Sequence, residues 1–131
     1  QRDLRQPPPV SGSLLAWARR GVLLLNTSLS VEDGLPGSHA KFGWEVLTDS
    51  LIAAVARQPQ PVAFLLWGAH AQAKAAVVAA GGGPHRIWQA NHPSPLSARR
   101  PPLPFIGCGH FSASADFLAR AGRPLDWSLG A

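Results

Sequence analysis

The sequence predicts an α/β fold of three layers, with a central parallel sheet between helices. Three observations carry that prediction. Val22–Leu25 and Val62–Trp67 are continuous apolar runs, as in strands buried on both faces, and His85–Trp88, which ends in the apolar pair Ile87-Trp88, makes a third, short strand. Segments with helical spacing separate and follow these runs. The resulting order β-α-β-α-β-α implies parallel strands joined by right-handed crossovers.

Residues 1–12 carry Pro7-Pro8-Pro9 and Ser11-Gly12, which predict an extended connector. Ser13 is placed to cap a short helix over Leu14–Arg20, with Leu14, Trp17 and Ala18 on one face and Gly21 at its end. The run Val22–Leu25 follows and stops at Asn26. Thr27–Lys41 is a polar loop containing Gly34, Pro36 and Gly37, in which His39 reads as a loop or packing residue. Phe42–Ala56 has Trp44, Leu47, Leu51 and Val55 at helical spacing, a face expected to cover the sheet. Pro59-Gln60-Pro61 breaks that helix. Val62–Trp67 closes at Gly68, and the alanine-rich stretch Ala69–Ala80 predicts a helix suited to close packing. Gly81-Gly82-Gly83-Pro84 stops it. The short strand His85–Trp88 leads to His92, and Ser112–Ala121 is the last helix, with Gly122 and Pro124 beyond it.

This order places Asn26, Gly68 and His92 at the carboxyl ends of the predicted strands. Ligands of α/β sheets bind along that edge. Asn26 is then either a ligand-reading group or a side chain that satisfies loop backbone. The residues alone leave both open.

At 131 residues the chain is at most one domain, long enough to bury a core. Apolar residues make up 46% and charged residues 15%, which excludes a disordered chain. Twelve Lys and Arg against seven Asp and Glu give a net charge of +5, the balance expected of a nucleic-acid binder. The single cysteine, Cys108, rules out an intrachain disulfide and suits a reducing, cytoplasmic setting. No apolar run is long enough to span a membrane, and no secretory signal pattern opens the sequence. The five histidines form no HxxxH pattern, and one cysteine cannot build a zinc cluster. Neither a GxGxxG nor a Walker pattern occurs. The sequence begins at Gln1 and contains no methionine, so a piece of a longer polypeptide is expected.

Asn91-His92-Pro93-Ser94-Pro95-Leu96-Ser97, followed by Arg99 and Arg100, concentrates the chemistry. Two prolines make the stretch a stiff loop. The serines and arginines suit phosphate oxygens. A bare leucine held between them suits a wedge that pries bases apart. An ordinary two-proline turn is the plainer alternative.

His-Pro-Ser-Pro-Leu-Ser resembles the DNA-intercalation loop of the family 1 uracil-DNA glycosylases. Gly21–Asn26, the run from Ser38-His39-Ala40 to Gly43-Trp44-Glu45, Phe64–Gly68, Gly107–Phe111 and Asp126-Trp127 follow that family in the same order. The resemblance extends from about Ser13 to Trp127.

It implies hydrolysis of the bond between uracil and deoxyribose in DNA, without metal or cofactor, by a monomer that flips the base out of the stack. Asn26 matches the residue that reads uracil, accepting from N3–H and donating to O4. His92 matches the catalytic residue that hydrogen-bonds uracil O2 and stabilises the charge on the leaving base. Leu96 matches the wedge. Pro93, Ser94, Pro95, Ser97 and Arg100 match the DNA-gripping loop, and Gly68 is expected to offer its N–H to a phosphate. Ala69 stands where many relatives have serine, so one hydroxyl contact is missing. The proline-rich stretch from Arg100 to Ile106 also departs from the family's Arg-Gly-Phe-Phe.

The family's Gly-Gln-Asp-Pro-Tyr-His motif is absent, and with it the water-handling aspartate and the tyrosine that excludes a 5-methyl group. The sequence is therefore expected to be the C-terminal part of one uracil-DNA glycosylase domain, incomplete at the N-terminus, and inactive alone. A non-catalytic DNA-binding remnant of the same fold is the alternative.

Overall fold

The computed structural model describes residues 2–129, so Gln1, where the connector was expected to begin, lies outside it. In chain order the elements are α1 (Leu15–Arg19), α2 (Trp44–Ala56), β1 (Ala63–Trp67), α3 (Ala69–Gln72), α4 (Ala75–Ala80), β2 (Arg86–Ala90) and α5 (His110–Arg120). β1 and β2 pair in parallel, with Ala63 opposite Arg86 and Trp67 opposite Ala90. They are the only strands among the described residues.

Val22–Leu25 is not a strand, which corrects the expected three-stranded order. A strand exists through its ladder, and this run has none. Val22 donates to the carbonyl of Trp17 at 3.0 Å, ending α1. Among the described residues the backbone groups of Leu23, Leu24, Leu25 and Asn26 have no hydrogen-bond partner. Leu23 and Leu24 are 65% and 56% exposed, so their apolarity is present but uncovered.

α1 is a single turn anchored by Trp17, whose indole N–H donates to Trp127 O at 2.7 Å. Leu14 and Ala18 are exposed, so the expected three-residue face reduces to Trp17. The Ser13 hydroxyl accepts from Leu15 N–H at 3.4 Å, a long cap contact.

The packed face of α2 is also rotated from expectation. Leu47 and Leu51 lie outward, while Thr48 and Ala56 are fully buried. The cause is polar. Lys74, 7% exposed, reaches Glu45 at 3.1 Å and Asp49 at 2.9 Å, and Thr48 Oγ1 donates to Thr27 O at 3.0 Å. The hydrogen bond to Asp49 raises the Lys74 pKa, and burial opposes it in part. Hydrophobic spacing cannot locate a face built around an ion cluster. The same lysine sits where the expected single helix Ala69–Ala80 breaks into α3 and α4.

Gly81 does more than stop α4. A Cβ there would meet Ala56 O at 2.4 Å, so its lack of a side chain lets α4 lie against the end of α2. His85 clamps the same corner, accepting from Val62 N–H at Nδ1 (3.1 Å) and lying 2.7 Å from Ala56 O through Nε2.

β2 runs two residues further than the expected end at Trp88. α5 starts at His110 rather than Ser112, because Asp3 caps it, accepting from the N–H groups of Phe111 (3.0 Å) and Ser112 (3.1 Å). Arg2–Leu4 therefore forms a turn tied to α5, which corrects the reading of the whole stretch as a connector. Trp17, Phe111 and Trp127 meet edge to face or tilted, with centroids 5.1–6.2 Å apart, and Trp67 joins through Phe111 at 5.6 Å. Such pairs add about 0.5–1.5 kcal/mol each beyond area burial. This aromatic cluster joins α1, β1, α5 and the C-terminal segment.

Candidate active site

The carboxyl ends of β1 and β2 are stapled together. Gly68 N–H and Gln72 Nε2 both donate to Ala90 O, at 2.9 and 2.7 Å. Gly68 has φ +94, a conformation that favours glycine. A Cβ on it would meet the Cβ of His92 at 3.2 Å and Cδ2 at 3.5 Å. His92 therefore packs directly on the bare Gly68 backbone. The expected phosphate contact through Gly68 N–H is corrected, because Ala90 O already takes that proton. The role the geometry gives Gly68 is space.

The His92 ring is held from its own loop. Ser94 N–H donates to Nδ1 at 3.0 Å. An accepting Nδ1 carries no proton, so the ring N–H is on Nε2. Ser97 Oγ donates to His92 O at 2.9 Å. Ser94 O accepts from both Ser97 and Ala98 N–H at 2.9 Å, closing a tight turn. Asn91, named in the sequence only as the start of this stretch and given no role, clamps the far side, donating through Nδ2 to Arg100 O at 2.7 Å. Its own N–H donates to Leu103 O at 2.8 Å. Only the polar residue directly before the histidine hinted at this.

These bonds sort the expected DNA-facing groups. The Ser97 hydroxyl proton is spent on the His92 carbonyl, which removes the expected donation from Ser97 to a phosphate. Ser94 Oγ accepts from Leu96 N–H at 3.4 Å and keeps its own proton to donate. Arg100 is exposed, with its guanidinium making no bond among the described residues. Pro93 and Pro95 stiffen the turn. Leu96 stands 81% exposed at its tip.

Asn26 and His92 line one cavity of about 900 Å³, together with Pro93 and Lys74. One wall is the segment from Val22 to Asn26, unpaired from Leu23 onward among the described residues, and the other is β1. The Asn26 side chain is exposed and makes no hydrogen bond among the described residues. The cavity is lined by an amide that can both donate and accept, and by an imidazole whose Nε2–H makes no bond among the described residues. That pair can recognise a planar ring carrying adjacent N–H and carbonyl groups. Among the described residues no cluster of His, Cys, Asp or Glu is arranged to hold a metal ion, and no helix is long and apolar enough to cross a membrane.

Comparison with known proteins points the same way. The family model of the uracil DNA glycosylase superfamily matches residues 9–117, and the chain belongs to that superfamily. Uracil-DNA glycosylase from Bordetella pertussis is 65% identical over 123 residues, which cover 93% of this chain and 49% of that protein. The Pseudomonas putida enzyme is 52% identical over 130 residues, 98% of this chain and 54% of its own length. Two variants of mimivirus UNG, each crystallised in complex with UGI, superpose with TM-scores of 0.77 and 0.78 at 26% and 27% identity. They share the fold with 90% and 95% of this chain, and it covers 48% and 50% of theirs. The chain thus spans about half the length of the relatives it matches.

Proposed function

We propose that this chain is the part of a uracil-DNA glycosylase that reads the base and grips the DNA, acting in base-excision repair. The observation that carries the reading is the tautomer of His92. Its Nδ1 is occupied by Ser94 N–H at 3.0 Å, so Nε2–H is the proton offered to the cavity it shares with Asn26.

As the bond to deoxyribose breaks, negative charge gathers on the base. A donor already aimed at uracil O2 stabilises that charge without reorganising, as an oxyanion hole does. Asn26 accepts from uracil N3–H and donates to O4. Cytosine presents the reverse pattern there and leaves both groups unpaired, which discriminates by several powers of ten. Leu96 fills the space left in the stack when the base turns out, while Ser94 and Arg100 hold phosphates. Members of this superfamily at up to 65% identity bear the name uracil-DNA glycosylase, which supports the substrate. No Gly-Gln-Asp-Pro-Tyr-His motif occurs in the sequence, so the group that handles water comes from elsewhere.

The test is a titration of the 131-residue chain with free uracil, followed in nitrogen-15 spectra of the His92 ring and the Asn26 side-chain amide. Both signals are expected to move with uracil, and the Asn26 signal to stay in place with cytosine. No movement with uracil, or equal movement with both bases, overturns the reading. The chain alone is expected to release no more than trace uracil from DNA, and robust turnover would show that it carries the whole chemistry.

A further inference from the structure

Two parts of the site are held firmly, and a single residue joins them. β2 ends at Ala90, which is 1% exposed and accepts from Gly68 N–H at 2.9 Å and from Gln72 Nε2 at 2.7 Å. The turn that carries His92 is closed by its own bonds, since Ser94 O accepts from both Ser97 and Ala98 N–H. Asn91 stands alone between Ala90 and His92. Its backbone sets the direction in which the imidazole leaves the sheet.

The donors of Asn91 are spent on fixing that joint. Its N–H donates to Leu103 O at 2.8 Å. Its Nδ2 donates to Arg100 O at 2.7 Å and, at a longer 3.4 Å, to Ser97 O. Two of these acceptors, Arg100 O and Leu103 O, lie in the stretch that departs from the family's Arg-Gly-Phe-Phe. Pro101, Pro102 and Pro104 have fixed φ and no N–H. Such backbone presents its carbonyl groups in set directions and has few donors of its own to satisfy them. Asn91 supplies two. The stretch is itself anchored on the sheet, because Phe105 meets Trp67 edge to face at 4.9 Å and Ile106 N–H donates to Ala98 O at 2.9 Å.

We propose that Asn91 is the positioning residue for His92, and that the proline-rich stretch serves as the fixed frame against which its amide is clamped. Asn91 acts through His92 and not on the base. The clamp stops rotation about the Asn91 backbone, so the ring stays against Gly68 and keeps its bond from Ser94 N–H. This deepens the proposed function by naming what aims the imidazole, and it rests on that reading only for the reaction in which His92 takes part.

The test compares Asn91→Asp with Asn91→Ala. Aspartate keeps the size of asparagine but puts an oxygen where Nδ2 donates, so it fills the space and loses the bonds. The first readout needs no DNA and is the nitrogen-15 spectrum of the His92 ring in the 131-residue chain. Without the clamp His92 swings relative to the turn, the bond from Ser94 N–H loosens, and the ring samples both tautomers. In both variants the Nδ1 signal is expected to move from that of an unprotonated nitrogen toward the average of the two forms. The second readout is steady-state excision by the complete enzyme. In both variants kcat is expected to fall roughly tenfold, short of the roughly 100-fold that follows a full displacement of about 1 Å, with KM for DNA little changed. An Asn91→Asp variant that matches the wild type in both readouts would show that the residue only fills space, and the proposal would fall. A raised KM with an unmoved His92 signal would also overturn it, by assigning Asn91 to the DNA grip. A third measurement depends on no variant. In the unmodified chain the Asn91 side-chain amide protons are expected to exchange with water severalfold more slowly than those of Gln89, which is exposed. Equal exchange at the two side chains would mean that the clamp does not form. A His92 signal that moves in both variants, beside an unmodified enzyme that excises no uracil, upholds the clamp and counts against the proposed function instead.

Discussion

His92 and Asn26 face one cavity, yet they are held in opposite ways. His92 is fixed by its own neighbours: Ser94 N–H on Nδ1, Ser97 Oγ on its carbonyl and Gly68 against its Cβ. Asn26 ends a segment whose backbone has no partner, and its side chain makes no hydrogen bond among the described residues. One half of the site is organised by a few residues of local sequence. The other half has no such bonds among the described residues.

The largest expected effect comes from disturbing the organised half. Gly68→Val adds a branched side chain where a single Cβ already comes within 3.2 Å of His92 and where φ is +94. His92 must shift, and a displacement of about 1 Å in a catalytic group reduces turnover by roughly 100-fold. Uracil excision by the complete enzyme is expected to fall at least that far, with DNA affinity little changed, as gel-shift titration would show. Undiminished excision would mean that the contact between Gly68 and His92 does not position the ring.

A change in the less organised half should alter selectivity more than it abolishes chemistry. Asn26→Asp replaces the amide donor with an oxygen, so uracil O4 meets an acceptor. Cytosine presents its N4 amino group there, which the carboxylate accepts. Uracil excision is expected to drop by one to two orders of magnitude, about 1–3 kcal/mol for an unpaired buried group, and cytosine excision to rise from a very low base. The assay is cleavage of abasic sites in oligonucleotides carrying one labelled uracil or one labelled cytosine. An unchanged ratio would remove Asn26 from the base edge.

The same contrast explains what was legible in the sequence. The turn around His92 was readable as a stiff loop because its geometry is local: two prolines and two serines follow the histidine directly. β1 and β2 were readable from apolar runs, to within two residues. Val22–Leu25 was equally apolar, but a ladder is a property of two segments, and no described segment pairs with it. Lys74 with Glu45 and Asp49, and Asp3 capping α5 across 108 residues, were invisible for a related reason. Charged partners far apart in sequence leave no periodic trace.

Leu96 belongs to the organised half, and the proposed wedge role predicts that its contribution appears on duplex DNA. Extruding a base from a stack costs a few kcal/mol and much less from a single strand. Leu96→Ala is expected to slow excision from duplex roughly tenfold more than from single-stranded substrate, measured by single-turnover kinetics on both. Equal loss on the two substrates would assign Leu96 to packing of the loop rather than to the stack.

The smallest effect is a change in stability with pH, and it probes the joint between β1 and α5 that underlies both halves. Trp67 Nε1 donates to His110 Nδ1 at 3.0 Å, so the imidazole must be neutral there for the bond to exist. Burial pushes the His110 pKa below its ordinary 6.5, and the nearby Asp3 carboxylate opposes that effect in part. Above 6.5 both the folded and the unfolded forms are neutral at this position, and the contribution to stability is complete. As the pH falls below 6.5 the unfolded chain takes up a proton that the folded chain resists, so stability declines until the folded pKa is passed. His110→Gln keeps an oxygen to accept from Trp67 and removes the titration. Urea unfolding between pH 7.5 and 5 should therefore show the wild-type chain losing stability on acidification more steeply than the variant. The expected difference is a fraction of the roughly 1.4 kcal/mol that corresponds to a tenfold change in proton affinity. Parallel curves for the two chains would mean that His110 titrates alike in the folded and unfolded states, and the bond from Trp67 would then not hold this corner of the sheet.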